Sequence, residues 1–162
     1  MLVMVRALIY SSLFIGFLFV YLPARLLSWT GIARPAAVVW PRIAGAAICA
    51  AGTAIALWCV GTFIFVGKGT PAPFDPPRRL VFRGPYRFVR NPMYIGAALA
   101  LSGAALFYKS LPLLLYGCAL LAVAQMIVVF YEEPTLRKTF GTEYETYCHN
   151  VRRWLPGMKS AR

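Results

Sequence analysis

The chain has 162 residues, of which 60% are hydrophobic, and carries a formal net charge of +12; its mean hydropathy is +0.65. That composition excludes an ordinary water-soluble domain and places the chain among membrane proteins. In a soluble protein so much positive charge would suggest nucleic acid, but here its distribution has another explanation and no nucleic-acid partner is expected.

Charge-free stretches run over 7–24, 43–67, 91–108 and 110–131. Each approaches the ~20 apolar residues that a helix rising 1.5 Å per residue needs to cross ~30 Å of hydrocarbon. None alternates like a barrel strand, so in lipid the backbone polar groups are satisfied only by helix. The expected fold is all-α: a multi-pass membrane protein, one membrane domain over 1–162, with four transmembrane helices and a cytoplasmic C-terminal helical segment.

The first span, 7–22, ends near Pro23. One basic residue precedes it and "YLPARLLSW" follows without a small-x-small cleavage site, so it is expected to be retained. A short link through Gly31 and Pro35 leads to the second span, 43–66. Then comes "GKGTPAPFDPPRRLVFRGPYRFVRNP", where four prolines between Pro71 and Pro77 exclude a helix and predict a semi-rigid, extended segment. The "GKGT" within it is not a phosphate-binding loop, because Lys68 is followed by Gly69 and no strand precedes it. The third span, 92–108, opens at Asn91-Pro92, a good N-cap followed by a residue suited to the first helical position. Lys109-Ser110 with Pro112 predicts a tight reversal into the fourth span, 111–131, making a helical hairpin. That span is expected to end at Glu132-Glu133-Pro134. The remainder, "TLRKTFGTEYETYCHNVRRWLP", reads as one interfacial helix or two shorter ones with a break near Gly141.

With four spans, the N-terminus, the loop between spans two and three, and the C-terminus share one side. Thirteen basic residues fall there: Arg6, six from Lys68 to Arg90, and six from Arg137 to Arg162. The other side carries Arg25, Arg34, Arg42 and Lys109. The positive-inside rule then places both termini and both long polar segments in the cytoplasm, and most of the basic charge needs no ligand. Cys49, Cys59, Cys118 and Cys148 form neither a disulfide framework nor a CxxC pair, and His149 is the only histidine. No metal site is expected; the cysteines read as buried or interfacial thiols.

On the cytoplasmic side the third span begins with free backbone N–H groups at Asn91 to Tyr94, a ready anion site. The fourth ends with Glu132 and Glu133, two of only five acids. Ionisable groups at membrane depth are costly and mark function; the alternative is that both sit in headgroup water and cap the following helix beside Pro134. Tyr86, Phe88, Tyr94 and Tyr131 add aromatic surface, as an aromatic belt would. A cavity offering N–H groups for an anion, carboxylates for a cation and aromatic walls for a flat ring fits S-adenosylmethionine, as it fits other zwitterions.

"LVFRGPYRFVRNPMYIG" followed by "EEPTLRKTFGTEYETYCHNVRRWLP" resembles the integral-membrane methyltransferases that include isoprenylcysteine carboxyl methyltransferase and phosphatidylethanolamine N-methyltransferase. Their pattern is Leu-Val, Gly-x-Tyr, Arg-His-Pro-x-Tyr-x-Gly, a helical hairpin, then Glu-Glu, Phe-Gly, Tyr and a closing Pro. The resemblance covers about 78–156, with cofactor-site segments at about 78–96 and 131–156. Spans one and two match only as hydrophobic helices. By position it implies S-adenosylmethionine contacts from Leu80, Val81, Tyr86, Asn91, Pro92, Met93, Tyr94 and Glu132. Glu132 would hold the cofactor's ammonium, and Asn91 with the start of span three would lie near its carboxylate. Arg90 is the family's arginine, to brace the loop or hold an anion. Two departures matter. Asn91 replaces the usual His, which puts any acid–base role there in doubt. Val128 stands where the isoprenylcysteine enzymes carry a substrate-binding Arg, so prenylcysteine is not supported as the acceptor.

Methyl transfer from a sulfonium is an in-line displacement that neutralises charge, so alignment matters more than a strong catalyst; orientation can supply ~7–11 kcal/mol. A carboxylate or thiolate acceptor needs no base, whereas a protonated amine must first lose its proton. Glu133, His149 and Tyr94 are conceivable bases, His149 reading more simply as a surface residue. Arg90 and Glu133 are the candidate catalytic residues. The expected partners are the lipid bilayer and a lipophilic acceptor (carboxylate, thiol or lipid amine) entering between spans, while the soluble cofactor enters from the cytoplasm. The main alternative is a non-catalytic small membrane protein, an assembly factor or transporter, whose arginines serve topology. A membrane reductase would need more spans and room for a nicotinamide dinucleotide.

Overall fold

In the computed structural model of the chain the described residues are 12, 13, 15–31, 39–67 and 79–155. The start of the first expected span, the link at Pro35, the proline run from Pro71 to Pro77 and the closing Pro156 lie outside them. The described residues form four helices, so the fold is all-α: α1 (Phe17–Trp29), α2 (Trp40–Gly67), α3 (Pro92–Tyr108) and α4 (Leu111–Asn150). A single 3-10 turn, Gly84–Arg87, precedes α3. Two helices, α2 and α4, are long and apolar enough to cross a bilayer, and α1 and α3 are shorter apolar helices. Only 17% of the most apolar window of α2 and of α4 is buried within the protein. Large apolar side chains such as Trp40, Phe65 and Phe130 point outward. Water-soluble folds hide such surfaces; a bilayer solvates them.

Two helices run further than their prolines suggest. The sequence places the end of the first near Pro23 and of the fourth at Glu132-Glu133-Pro134, yet α1 continues to Trp29 and α4 to Asn150. A proline ring inside an α-helix clashes with the carbonyl four residues back and removes one hydrogen bond. In both helices a π-helical turn lies just before the proline, over Phe17–Tyr21 and Val128–Glu132. Leu22 N–H reaches Phe17 O and Glu133 N–H reaches Val128 O, each five residues back. The wider turn accommodates the proline without ending the helix. The break read near Gly141 is a kink within α4, at φ 50° and ψ −123°, a conformation glycine adopts at little steric cost.

The chain divides into two compact units, Met1–Ala54 with Gly96–Ala122, and Ile55–Ile95 with Val123–Arg162. In the first, Leu101, Ala105 and Leu113 form a buried cluster with Phe19, Leu26, Leu27, Tyr116 and Leu120 packed on it. The Tyr116 hydroxyl donates to Leu18 O at 2.8 Å. Here α2 and α3 approach backbone to backbone and antiparallel. A methyl on Gly45 would lie 2.6 Å from Phe107 N, and methyls on Gly52 and Gly103 would strike the backbones of Ala100 and Cys49. Small residues permit this close approach, as at helix interfaces in membranes.

The tight reversal expected at Lys109-Ser110 is built as a helix stop followed by a cap. Lys109 takes φ 50°, Ser110 N donates to Ala105 O at 2.9 Å and Lys109 N to Leu106 O at 3.2 Å, the bond pair of a Schellman motif. The Ser110 hydroxyl then accepts from Leu113 N at 3.3 Å and caps α4.

Candidate functional site

All the residues singled out for the site fall in the second unit. The segment before α3 turns at Gly84, whose φ of 60° starts the 3-10 turn. A Cβ there would press on Thr62 Oγ1 at 3.1 Å. The turn drives Tyr86 inward against Cys59 and Val81, with Ile55, Phe63 and Met93 packed around them. Phe63 meets the Tyr86 ring edge-on at 5.3 Å. Burial, helped by neighbouring Cys59, pushes the Tyr86 hydroxyl well above its ordinary range, so it stays neutral. Tyr147 donates its hydroxyl to Tyr86 O at 2.7 Å and ties the turn to α4. Leu80 lines a cleft of about 500 Å³ with Phe65, Arg79, Phe82, Arg83 and Glu143.

The start of α3 is fastened by the last described residues. Arg90 N donates to Arg152 O at 2.9 Å, and the Asn91 side-chain amide reaches Arg153 O at 3.5 Å. The Arg153 guanidinium grips Glu133 with both prongs, Nε to Oε1 and Nη2 to Oε2, each at 2.8 Å. Arg90 Nη1 lies 3.3 Å from Glu133 Oε1 and donates to Cys148 Sγ at 2.7 Å. Glu133 is 9% exposed, Arg90 14% and Arg153 33%, so this is a largely desolvated Arg–Glu–Arg cluster. Both carboxylate oxygens already have partners.

Glu132, one residue past the charge-free stretch ending at Tyr131, is used differently. It accepts a hydrogen bond from the Tyr94 hydroxyl. No lysine or arginine among the described residues pairs with it. Burial pushes its carboxyl up, the Tyr94 bond opposes this and the Glu133 charge adds to it. Tyr94 is backed in turn by the Trp154 ring, 6.4 Å away between centroids and tilted 59°. The Trp154 indole N–H donates to Gln125 Oε1 at 2.9 Å. Beside this pair lies the first turn of α3, whose N–H groups have no carbonyl partner one turn back in the helix. A carboxylate lacking a cation, next to a helix N-terminus, can hold the two charged ends of an amino acid.

A family model described as phospholipid methyltransferase matches residues 40–143. The chain belongs to the phospholipid methyltransferase family. Members of this family are S-adenosylmethionine-dependent methyltransferases. Together with the apolar helices, membership makes the chain an integral membrane protein. No curated protein and no solved structure matches the chain.

Within this chain most of the expected residues separate into three groups. Val81, Tyr86 and Met93 share one apolar cluster, so Val81 and Tyr86 present little side chain to a ligand. Tyr94 and Glu132 meet directly. Arg90, Asn91 and Glu133 join the cluster organised by Arg153. Pro92 is buried at the head of α3, and Leu80 lies on the cleft. His149 is exposed on the last turn of α4. Sequence reasoning missed Arg153, Trp154, Gln125 and Tyr147. From the sequence Arg153 reads as one of the topology charges. The signal available was the scarcity of acids: a glutamate beside a membrane helix needs a cation, and the last basic pair is near at hand.

Proposed function

We propose that the protein transfers a methyl group from S-adenosylmethionine to a membrane-partitioning acceptor bearing a carboxylate, thiol or lipid amine. The observation that carries the reading is Glu132, a largely buried carboxylate with a tyrosine hydroxyl for partner and, among the described residues, no cation. Such a group is costly to bury unpaired, and the cofactor's ammonium would compensate it. The donor set fits the cofactor. Glu132 and Tyr94 would hold the ammonium, the first-turn N–H groups of Met93 and Tyr94 would face the carboxylate, and the backbone around Leu80, Val81 and Tyr86 would meet the adenosine. When bound, the cofactor supplies an electrophilic methyl on a sulfonium.

The chain's own contribution is then orientation and exclusion of water. Tyr94 fixes the direction of the Glu132 carboxylate. The Arg90–Glu133–Arg153 cluster holds the head of α3, and this reading gives Arg90 and Glu133 a structural part there. Both Glu133 oxygens are engaged by arginines, so an acceptor already ionised, or an amine that loses its proton to solvent, suits the site best. Four spans are read from the charge-free stretches, and the charge distribution then favours both termini in the cytoplasm, with the acceptor reaching the site laterally from lipid and the cofactor from the cytoplasm.

The test is to reconstitute the full chain in liposomes with methyl-labelled S-adenosylmethionine and matched long-chain and short-chain acceptors of each class. Label in a long-chain acceptor, reduced at least tenfold for its short-chain analogue, supports the reading. Transfer to water-soluble analogues at equal rates contradicts the membrane acceptor; no transfer to any class contradicts the activity.

A further inference from the structure

Three consecutive residues beyond the family-matched stretch make most of the contacts that hold the candidate site together. After α4 ends at Asn150, Val151 turns extended (φ −119°, ψ 130°) and the chain passes back across the head of α3. The Arg152 carbonyl receives Arg90 N–H at 2.9 Å and the Arg153 carbonyl receives the Asn91 amide at 3.5 Å. The Arg153 guanidinium holds Glu133, the neighbour of Glu132, in a two-pronged bond. Trp154 backs Tyr94 with its ring and bonds Gln125, seven positions before Glu132, through its indole N–H. One segment thus touches both components of the site, the α3 head and the α4 stretch around Glu132.

We propose that Arg153 is a positioning residue for the amino-acid end of the cofactor, and that residues 152–154 act as a strap setting the spacing between the first turn of α3 and Glu132. The inference rests on the cofactor site proposed above. A planar guanidinium gripping a carboxylate with both prongs fixes distance and orientation together, which a single hydrogen bond does not. Because the Arg153 carbonyl is bound to Asn91 while its side chain is bound to Glu133, a shift of either partner moves the other. The groups displaced by a loosened strap are the helix-start N–H groups and Glu132. The apolar wall of Val81, Tyr86 and Cys59 has its own packing and its own tie through Tyr147.

The inference is tested by titrating the purified full chain with two ligands. S-adenosylmethionine carries the carboxylate, the ammonium and a sulfonium; 5′-methylthioadenosine keeps the adenosine on a neutral thioether and lacks all three charges. Arg153→Gln is expected to weaken S-adenosylmethionine binding about tenfold or more, the loss of a charge-assisted contact, while leaving methylthioadenosine binding unchanged. Arg153→Lys keeps the charge without the fork and is expected to fall between Arg153→Gln and the native chain. Trp154→Phe keeps a ring against Tyr94, drops the bond to Gln125 and is expected to show the same selectivity at smaller size. If Arg153→Gln does not fold, the other two variants decide by the same ratio. Unchanged affinity for S-adenosylmethionine in folded variants overturns the inference, and so does equal weakening of both ligands, which marks a merely structural clamp. Native protein that binds neither ligand defeats the cofactor site itself, and the inference with it, before any variant is made.

Discussion

The Tyr94 hydroxyl, on the first turn of α3, donates to the Glu132 carboxylate on α4 across 38 positions of chain. This bond joins the two motifs that the sequence keeps apart, and it partners a carboxylate that has no cation among the described residues.

Removing the hydroxyl leaves that carboxylate poorly satisfied. Tyr94→Phe is expected to lower the ligand-free unfolding free energy by about 1–3 kcal/mol, the cost of stranding a buried polar group. S-adenosylmethionine should recover part of the loss, because its ammonium replaces the missing donor. Thermal unfolding in detergent, with and without ligand, measures both effects.

The adjacent glutamates should behave as opposites. Glu133→Ala strands Arg90 and Arg153 and is expected to destabilise the protein by up to about 3–5 kcal/mol, the range for breaking a buried ion pair. Part of this is offset because Arg153 is 33% exposed. Glu132→Gln removes a charge that lacks a cation, so its stability should stay near native or rise while cofactor binding falls. Parallel unfolding and binding measurements on the two variants separate the roles; equal stability losses would contradict them.

The pH dependence follows from the raised Glu132 carboxyl. Between the ordinary value of 4.5 and the raised value, the folded protein holds a proton that the unfolded chain has released. Stability therefore falls as pH rises through this window, and Glu132→Gln should flatten that part of the curve. Binding runs the other way. An ammonium needs the ionised carboxylate, so S-adenosylmethionine should bind more weakly as pH falls below the raised value. Titration at several pH values, with Glu132→Gln as control, checks the sign.

The glycines between α2 and α3 carry a prediction independent of the chemistry. A side chain at Gly52 or Gly103 would meet the opposite helix's backbone, which cannot turn aside. Gly103→Leu is expected to cost about 3 kcal/mol or more, the upper end for overpacking. The same change at Gly61, where nothing lies within 4 Å of an added Cβ, should cost far less. Comparing the two unfolding temperatures tests the close approach.

The helices and the site's first motif were legible because hydrophobic length and Asn-Pro-type helix starts are local signals. The reversal at Lys109-Ser110 and the kink at Gly141 were legible for the same reason. Helix continuation past Pro23 and Pro134 was not, because a π turn leaves no residue signature and proline by itself argues for a stop. Nor was the division of labour between Glu132 and Glu133. Adjacent residues on a helix point about 100° apart, so an identical pair can serve unlike partners. Which of them meets Arg153 depends on a segment twenty positions away returning to the α3 head.

The most direct measurement is calorimetric titration of the purified full chain with S-adenosylmethionine, in lipid and in detergent, beside Glu132→Gln. Saturable binding is expected for the native chain, weakening about tenfold or more in the folded variant. A folded native protein that takes up no S-adenosylmethionine in either medium, or one that binds it equally well without the Glu132 charge, would rule out Glu132 as the cofactor's anchor.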